Sequence, residues 1–141
     1  MFKRILVPLD GSSLAEAVLP QVQELARTLG AELFLVRAAA AHVFPGVDPT
    51  EQEVDVVQKA EAYVAEVAGR LRDAGIPIHT AVRYGEAAEE ILEHIGVNAI
   101  DLVAMSTHGR SGLTRLVLGS VAEQVVHHAT VPVLLMRARG E

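Results

Sequence analysis

The side chains best suited to bind a ligand lie together in residues 106–120, which read STHGRSGLTRLVLGS. Glycines let the backbone approach a bound group closely, hydroxyls donate hydrogen bonds, and arginines supply positive charge. The stretch ends where a helical pattern begins, and the free N–H groups of a helix N-terminus suit a phosphate. It therefore predicts a phosphate-binding loop. The residues that carry this prediction are Gly109, Arg110, Ser111, Gly112, Thr114, Arg115, Gly119 and Ser120.

A purely structural interpretation of this stretch stays open on its residues alone. Ser120 could serve only as a helix N-cap, and the glycines could only form turns. His108 is better suited to a hydrogen bond within the loop than to catalysis. The remaining histidines are scattered along the chain, and the adjacent pair His127 and His128 points in different directions on a helix, so a zinc site is not expected.

Asp10 is the second candidate, in the segment PLDGSS that follows the first apolar run. Its carboxylate could bind a ligand or a metal ion, or it could only satisfy a turn. In an open parallel sheet, ligands bind beyond the carboxyl ends of the strands, where the strand order reverses. If the first and fourth strands are neighbours, Asp10 faces the loop at 106–120. The apolar pattern alone does not decide that adjacency.

Several familiar sites are excluded by the residues present. A Walker A loop needs Gly-Lys-Ser/Thr, whereas the two lysines, Lys3 and Lys59, both lie outside the glycine-rich loop. The segment PLDGSS lacks the dinucleotide fingerprint G-x-G-x-x-G, and Gly109-Arg-Ser-Gly112 is one residue short of a nucleophile elbow. A response-regulator receiver would need an acidic pair after the first strand and a lysine after the fifth, where this chain has Asp10 alone and Arg137.

Composition narrows the class of protein further. The 141 residues are half hydrophobic, contain no cysteine and carry a formal charge of −6. Cysteine chemistry is excluded, and general electrostatic binding of nucleic acid is not expected. No apolar run approaches the roughly 20 residues of a membrane span, and the N-terminus does not resemble a signal peptide. We expect one domain over residues 1–141, soluble and cytoplasmic.

Five short apolar runs alternate with four amphipathic patterns. The predicted strands are 3–8, 32–37, 78–83, 100–105 and 131–136, and the predicted helices are 14–29, 51–74, 87–95 and 121–129. Pro20 should kink the first helix. Such alternation predicts an α/β fold with a single open parallel sheet and helices on both faces.

Capping signals set the expected helix ends. Three capping boxes of the form Ser/Thr-x-x-Glu mark helix starts, and glycines that follow three of the helices mark their ends. The boxes pair Ser13 with Glu16, Thr50 with Glu53 and Ser120 with Glu123, and the glycines are Gly30, Gly75 and Gly96.

On these residues the chain resembles the universal stress protein family, specifically its ATP-binding branch. That branch carries G-x2-G-x9-G-(S/T) after the fourth strand, and Gly109, Gly119 and Ser120 match its last three elements, while Ser106 stands in place of the first glycine. The opening ILVPLDGSS, the segment VRYG at 82–85 and the ending ATVPVLLMR at 129–137 are also similar to the family. The resemblance thus extends over nearly the whole chain.

The resemblance implies a Rossmann-like, five-stranded sheet in the order 3-2-1-4-5, which makes the first and fourth strands neighbours. It implies ATP as ligand, with Mg²⁺ or Mn²⁺ bridging the phosphates and held in part by Asp10. It also implies a homodimer joined through the strand from Val131 to Met136. The implied contacts are Pro8, Leu9 and Asp10 for adenine and ribose, Val36 and Met105 for adenine, and Gly109, Gly112, Gly119, Ser120 and Val121 for ribose and phosphates, with Ser106 in the first motif position. From charge alone, Arg110 and Arg115 are further candidates to bind the phosphates.

Three functions remain to be compared. The first is an ATP-binding stress-response or regulatory protein with slow hydrolysis or none, since the loop has no lysine to reach a phosphate and no evident base for water. The second is a nucleotide-independent dimeric interaction protein of the same family, for which Ser106 in place of glycine is the main support. The third is an ATPase or phosphotransferase that uses Asp10 with His108 or Ser120.

Overall fold

The computed structural model describes residues 1–40, 45–72, 75–107 and 119–137. These ranges contain five strands and five helices, which alternate except that two helices follow the first strand. The strands are β1 (Arg4–Leu9), β2 (Glu32–Ala39), β3 (Ile78–Tyr84), β4 (Leu102–Thr107) and β5 (Val133–Arg137). The helices are α1 (Ser13–Glu16), α2 (Leu19–Leu29), α3 (Pro49–Leu71), α4 (Ala87–Val97) and α5 (Ser120–His128).

The strands form one parallel sheet in the order β3-β2-β1-β4-β5. The predicted fold class and strand order are therefore confirmed. β1 lies at the centre, pairing with β2 through Leu9 opposite Arg37 and with β4 through Ile5 opposite Leu102. Because both neighbours of β1 are parallel to it, the carboxyl ends of β1, β2 and β4 meet at one edge of the sheet.

Alternation along the strands divides the core into two layers. On one face, Ile5 and Val7 of β1 pack with residues of α2 and α3, such as Val22 and Val67. On the other face, Leu6 packs with residues of α4 and α5. Helices thus cover both faces of the sheet, as the apolar strand sequences predict.

The first predicted helix is two helices in the structure. α1 ends at Glu16 and α2 begins at Leu19, so Pro20 lies in the first turn of α2 and does not kink a continuous helix. Proline is tolerated there because the first turn has no N–H partner to lose. The end of α2 is as predicted, because Gly30 adopts the left-handed conformation that stops a helix, with φ of 65°.

The three predicted capping boxes are wrong. Ser12, not Ser13, caps α1, accepting a hydrogen bond from the Ala15 N–H. Asp48, not Thr50, caps α3, because proline favours the first helical position and keeps the residue before it extended. Gly119 occupies the N-cap of α5 and Ser120 is already helical.

Other element ends also differ from prediction. α4 continues through Gly96 to Val97, and α3 ends at Leu71. All five strands extend further toward their carboxyl ends than predicted. β2 and β4 gain two residues, ending at Ala39 and Thr107, and the other three gain one residue each. Within the described ranges, no helix is long and apolar enough to cross a membrane.

Candidate functional site

A cavity of about 350 Å³ opens at the carboxyl edge of the sheet, where β1 and β4 end side by side. Its volume is within the range of small-molecule sites. The β1–α1 segment, the end of β4 and the first turn of α5 form its walls, and α4 contributes from one side. The lining residues are Pro8, Leu9, Asp10, Ser12, Leu14, Ala15, Ala38, Ala87, Ile91, Met105, Ser106, Thr107, Gly119, Ser120, Val121 and Ala122.

Asp10 is exposed at the cavity, just beyond β1. Its Oδ1 accepts hydrogen bonds from the Ser12 N–H at 2.8 Å and from the Ser12 hydroxyl at 2.5 Å. This is the turn interaction that the sequence left open, and it holds Ser12 in position to cap α1. Within the described residues Oδ2 accepts no hydrogen bond, so one carboxylate oxygen of Asp10 is available to a ligand. The turn and the ligand interpretations are therefore compatible.

The first turn of α5 presents its backbone to the cavity. Gly119 is extended, with φ of −72° and ψ of 165°, and no side chain of the described residues caps the helix. The first N–H groups of a helix have no partner within it and carry partial positive charge. Ser120 and Val121 line the cavity at this turn. A β-carbon built at Gly119 meets no described atom within 4 Å, so the fold itself does not require glycine there.

Ser106 uses its hydroxyl to join β4 to α1. Its Oγ donates a hydrogen bond of 2.5 Å to the carbonyl of Leu14. A glycine at this position could not form that bond. Although Ser106 lines the cavity, its polar atom is directed at a protein partner.

Val36 lies deeper than the resemblance implies. Its side chain is 1% exposed, packs in the core with α4 and α5, and is not among the lining residues. β2 continues to Ala39, and Ala38, two residues beyond Val36 on the same face, lines the cavity instead. One pleat repeat along the strand, about 6.6 Å, separates the two positions.

The remaining predicted contacts divide into two groups. Pro8, Leu9 and Met105 line the cavity together with Asp10 and Ser106. Gly109, Arg110 and Gly112, with the rest of the segment 108–118, lie outside the described residues. No cluster of three or more metal-binding side chains occurs in the part of the chain that the structure describes, so Asp10 is a single carboxylate at the cavity.

Sequence reasoning did not identify the contribution of α4. Ala87 and Ile91 line the cavity from the first turns of that helix. Their apolar spacing predicted a buried face, but periodicity does not distinguish residues that contact the sheet from those that border a cavity beyond its edge. Ala38 was missed because the predicted second strand ended at residue 37, two residues before the observed end of β2.

A polar network fixes α1, and with it one wall of the cavity, against α3. The Tyr63 hydroxyl donates a hydrogen bond of 2.6 Å to Glu16 Oε2, and Arg70 donates one of 2.9 Å to Glu16 Oε1. Burial raises the pKa of Glu16, but these two hydrogen bonds outweigh it, so the pKa of Glu16 is lowered. Burial and donation to Glu16 raise the pKa of Tyr63. The network therefore holds an ionised Glu16 and a neutral Tyr63.

Comparison with known proteins connects this geometry to a described family. The model of the universal stress protein family matches residues 1–137. Universal stress protein MJ0531 of Methanocaldococcus jannaschii is 30% identical over 142 residues, covering 97% of this chain and 83% of that protein.

Two solved structures have the same fold. The structure of MJ0577 from the same organism is 26% identical with a TM-score of 0.83, covering 100% of this chain and 99% of that one. A universal stress protein family protein from Arabidopsis thaliana, described with AMP bound, is 12% identical with a TM-score of 0.65, covering 98% of this chain and 93% of that one.

Proposed function

The chain belongs to the universal stress protein family, and from that premise we propose that it is an ATP-binding regulatory protein with slow hydrolysis or none. The observation that carries the proposal is the adjacency of β1 and β4, which brings Asp10 and the uncapped start of α5 to one cavity. A relative of the same fold is described with AMP bound, which supports an adenine nucleotide as the ligand.

The two sides of the cavity suit the two ends of a nucleotide. Leu9, Ala38, Ile91 and Met105 provide apolar surface for a purine ring. The first turn of α5 supplies N–H groups and the positive end of a helix for phosphate. We assign adenine to the apolar side and the phosphates to Gly119, Ser120 and Val121, with Gly109, Arg110 and Gly112 as further proposed contacts. Val36 lies in the core two residues before Ala38 on the same face of β2, and there it would support the adenine side without touching the ligand.

The available oxygen of Asp10 is compatible with a divalent cation held jointly by protein and nucleotide. Mg²⁺ commonly binds through one or two carboxylates plus phosphate oxygens and water. Asp10 would supply the carboxylate, and the ion would offset phosphate charge at a cavity that contains no lysine among its described lining residues. The same proposal applies to Mn²⁺, which also accepts oxygen ligands.

Regulation is favoured over catalysis by the chemistry of the lining. Asp10 is the sole ionisable side chain among the described residues that line the cavity. Its bond to Ser12 fixes a turn, and no described histidine or lysine is available there as a general base or acid. Regulation would arise from different affinities of the nucleotide-bound and nucleotide-free forms for a partner. Homodimer formation through β5 and a cytoplasmic location belong to this proposal.

A nucleotide titration of stripped protein tests the proposal. Calorimetry with Mg·ATP should give saturable binding to the wild type that Gly119→Val abolishes or weakens at least about tenfold, equivalent to 1.4 kcal/mol. A β-carbon at this position meets none of the described residues within 4 Å, and the φ of −72° suits valine, so we expect the variant to fold. Gly69→Val on α3 is the matched control, because a β-carbon there also meets nothing within 4 Å.

The same titration separates the alternatives. Asp10→Asn retains an oxygen for the turn but loses the charge, so it should lose the enhancement of ATP affinity by Mg²⁺. Failure of stripped wild type to bind ATP at millimolar concentration would favour the nucleotide-independent interaction protein. Turnover well above background that disappears in Asp10→Asn would instead establish an ATPase.

A further inference from the structure

A second cavity, of about 410 Å³, lies between the end of β2, the β1–α1 loop and α3. Arg37 enters it from β2. Since side chains alternate along a strand, Arg37 shares a face with Leu33 and Leu35, which pack toward α2 and α3. The two cavities share Ala38, but the candidate nucleotide cavity is bordered by α4 and α5, whereas this one is bordered by α3. The lining residues are Gly11, Arg37, Ala38, Ala39, Ala40, Val56, Lys59, Ala60 and Tyr63.

The Arg37 side chain is partly exposed, but part of its guanidinium is removed from water. Its Nε and Nη1 are both buried and form no hydrogen bond with any described residue. The Tyr63 ring lies 5.5 Å from the guanidinium carbon, and a β-carbon built at Gly11 would lie 2.7 Å from Nη1. Arg37 is therefore held between the β1–α1 loop and α3, in a place where a charged group without an acceptor is costly.

The carboxylates of this region are engaged elsewhere. Asp10 and Glu16 both act electrostatically on Tyr63, yet neither forms an ion pair with Arg37 within the described residues. Asp10 accepts hydrogen bonds from Ser12, and Glu16 accepts them from Tyr63 and Arg70. β2 ends at Ala39, and after Ala40 the segment 41–44 reads AHVF, which contains no acidic residue.

The charge of the cavity contrasts with that of the whole chain. The formal charge of the protein is −6, but the ionisable residues among the described lining are Arg37, Lys59 and Tyr63, with no carboxylate. Lys59 stands at the rim, where its ammonium contacts Asp55 at 3.1 Å on the exposed face of α3. Small side chains form the rest of the wall. An anion with more than one acceptor oxygen would complement this lining.

We propose that this cavity is a subsite for a phosphate group, separate from the nucleotide cavity, in which Arg37 donates to the bound oxygens and Lys59 adds charge at the rim. Phosphate offers several acceptor oxygens, enough for both buried nitrogens, and guanidinium–phosphate hydrogen bonds are among the stronger ones in proteins. Inorganic phosphate and the phosphoryl group of a small phosphomonoester share this chemistry.

Phosphate binding to the variants tests the subsite. We expect the amide resonances of Gly11 and Tyr63 to shift saturably with inorganic phosphate at constant ionic strength. Arg37→Met keeps the apolar stem and removes the donors, and it should weaken phosphate at least about tenfold, as expected for hydrogen bonds to a charged group. Gly119→Val, which fills the nucleotide cavity, should leave phosphate binding here unchanged.

The two lysines provide a matched pair of controls. Lys59→Gln should weaken phosphate, whereas Lys3→Gln, which removes the same charge at a distant position, should not. Repeating the titration with glycerol 2-phosphate distinguishes the two possible sources of the phosphate group. Tighter binding of the ester than of inorganic phosphate indicates a phosphorylated metabolite, and weaker binding indicates free phosphate. In phosphate-free buffer Arg37→Met should be at least as stable as the wild type, since it removes a charge that lacks a partner.

Three results would overturn the subsite. The first is the absence of saturable shifts with either probe. The second is phosphate binding that Gly119→Val abolishes and Arg37→Met leaves intact, which would locate the anion in the nucleotide cavity. The third is destabilisation of phosphate-free protein by Arg37→Met, which would show that Arg37 already has a structural partner. Failure of this subsite and failure of the proposed function are distinguished by calorimetry, in which ATP binding is measured for both Gly119→Val and Arg37→Met.

Discussion

At the scale of single residues, some polar groups at the cavity edge bond to other parts of the protein, and others remain available to a ligand. Asp10 uses one oxygen for a turn and keeps the other available. Ser106 gives its hydroxyl to Leu14, and Gly119 leaves the first turn of α5 uncapped. The replacement of the family glycine by Ser106 therefore adds a tie between β4 and α1 while leaving the cavity open beside it.

Replacement of Ser106 separates this structural role from a direct role in binding. Ser106→Ala removes the hydrogen bond to Leu14 and should lower the free energy of unfolding by about 1 kcal/mol. Because the hydroxyl is directed at α1, ATP affinity should change by less than about threefold, or 0.65 kcal/mol. Chemical denaturation and calorimetry measure the two effects. A large loss of affinity with unchanged stability would contradict the structural role.

At the scale of elements, the pattern of apolar residues predicted the strands and most helices, but not the residues that begin the helices. A capping box requires the Ser or Thr to be extended, and sequence spacing does not report that conformation. At α1 the hydrogen bonds from Ser12 to Asp10 fix Ser12 as the cap, and at α3 Pro49 determines that Asp48 precedes the helix. The first error depended on a contact that spacing does not contain, whereas the second overlooked Pro49, a helix-start signal present in the sequence.

The contact between β3 and α4 should be sensitive to acid. Arg83 of β3 bonds Glu90 at 2.9 Å and Glu93 at 3.1 Å on α4, and its Nη1 lies 3.5 Å from Nδ1 of the buried His94. Burial, and then the charge of Arg83, lower the pKa of His94. The neutral imidazole is thus favoured in the folded state, while the unfolded chain takes up the proton at the ordinary value of about 6.5.

The sign of the resulting pH dependence follows from linkage. The stabilisation associated with neutral His94 is complete above about pH 6.5, the ordinary value for histidine. It is lost as the pH falls through the lowered pKa of the folded state. Unfolding free energies at several pH values should therefore fall more steeply in acid for the wild type than for His94→Gln. The exposed His127→Gln is the control and should follow the wild type. Identical acid dependence of all three proteins would contradict the assignment.

At the scale of the whole molecule, the strand order is what creates the site. Alternating strands and helices predict a parallel sheet, but apolar patterns do not say which strands are neighbours. The order came from the resemblance carried by Gly109, Gly119 and Ser120, and the pairing of Ile5 with Leu102 confirms it. The depth of Val36 could not be predicted in the same way, because it depends on where β2 ends relative to β1.

The outer edge of β5 should hold two copies of the chain together. β5 is the last strand of the described sheet, and its edge away from β4 pairs with no other described strand. Leu134 and Met136 pack on one core layer and Val133 on the other, whereas Leu135 belongs to neither among the described residues. Leu135→Lys should therefore convert a dimer to a folded monomer.

Sedimentation velocity with parallel denaturation measures the change in mass and in stability. Val97→Lys, at a side chain that is 69% exposed at the end of α4, is the control and should remain dimeric. A monomeric wild type, or a dimer that persists in Leu135→Lys, would exclude this edge as the interface.

The most direct test of the central claim is to locate ATP on the protein by nuclear magnetic resonance. Titration of Mg·ATP into ¹⁵N-labelled, nucleotide-free protein should shift the amide resonances of Asp10, Ser106, Ser120 and Val121 saturably below millimolar concentration. Saturable shifts at these positions would establish the cavity between β1, β4 and α5 as the nucleotide site. The absence of saturable shifts up to millimolar ATP, or shifts confined to surfaces away from this cavity, would contradict it.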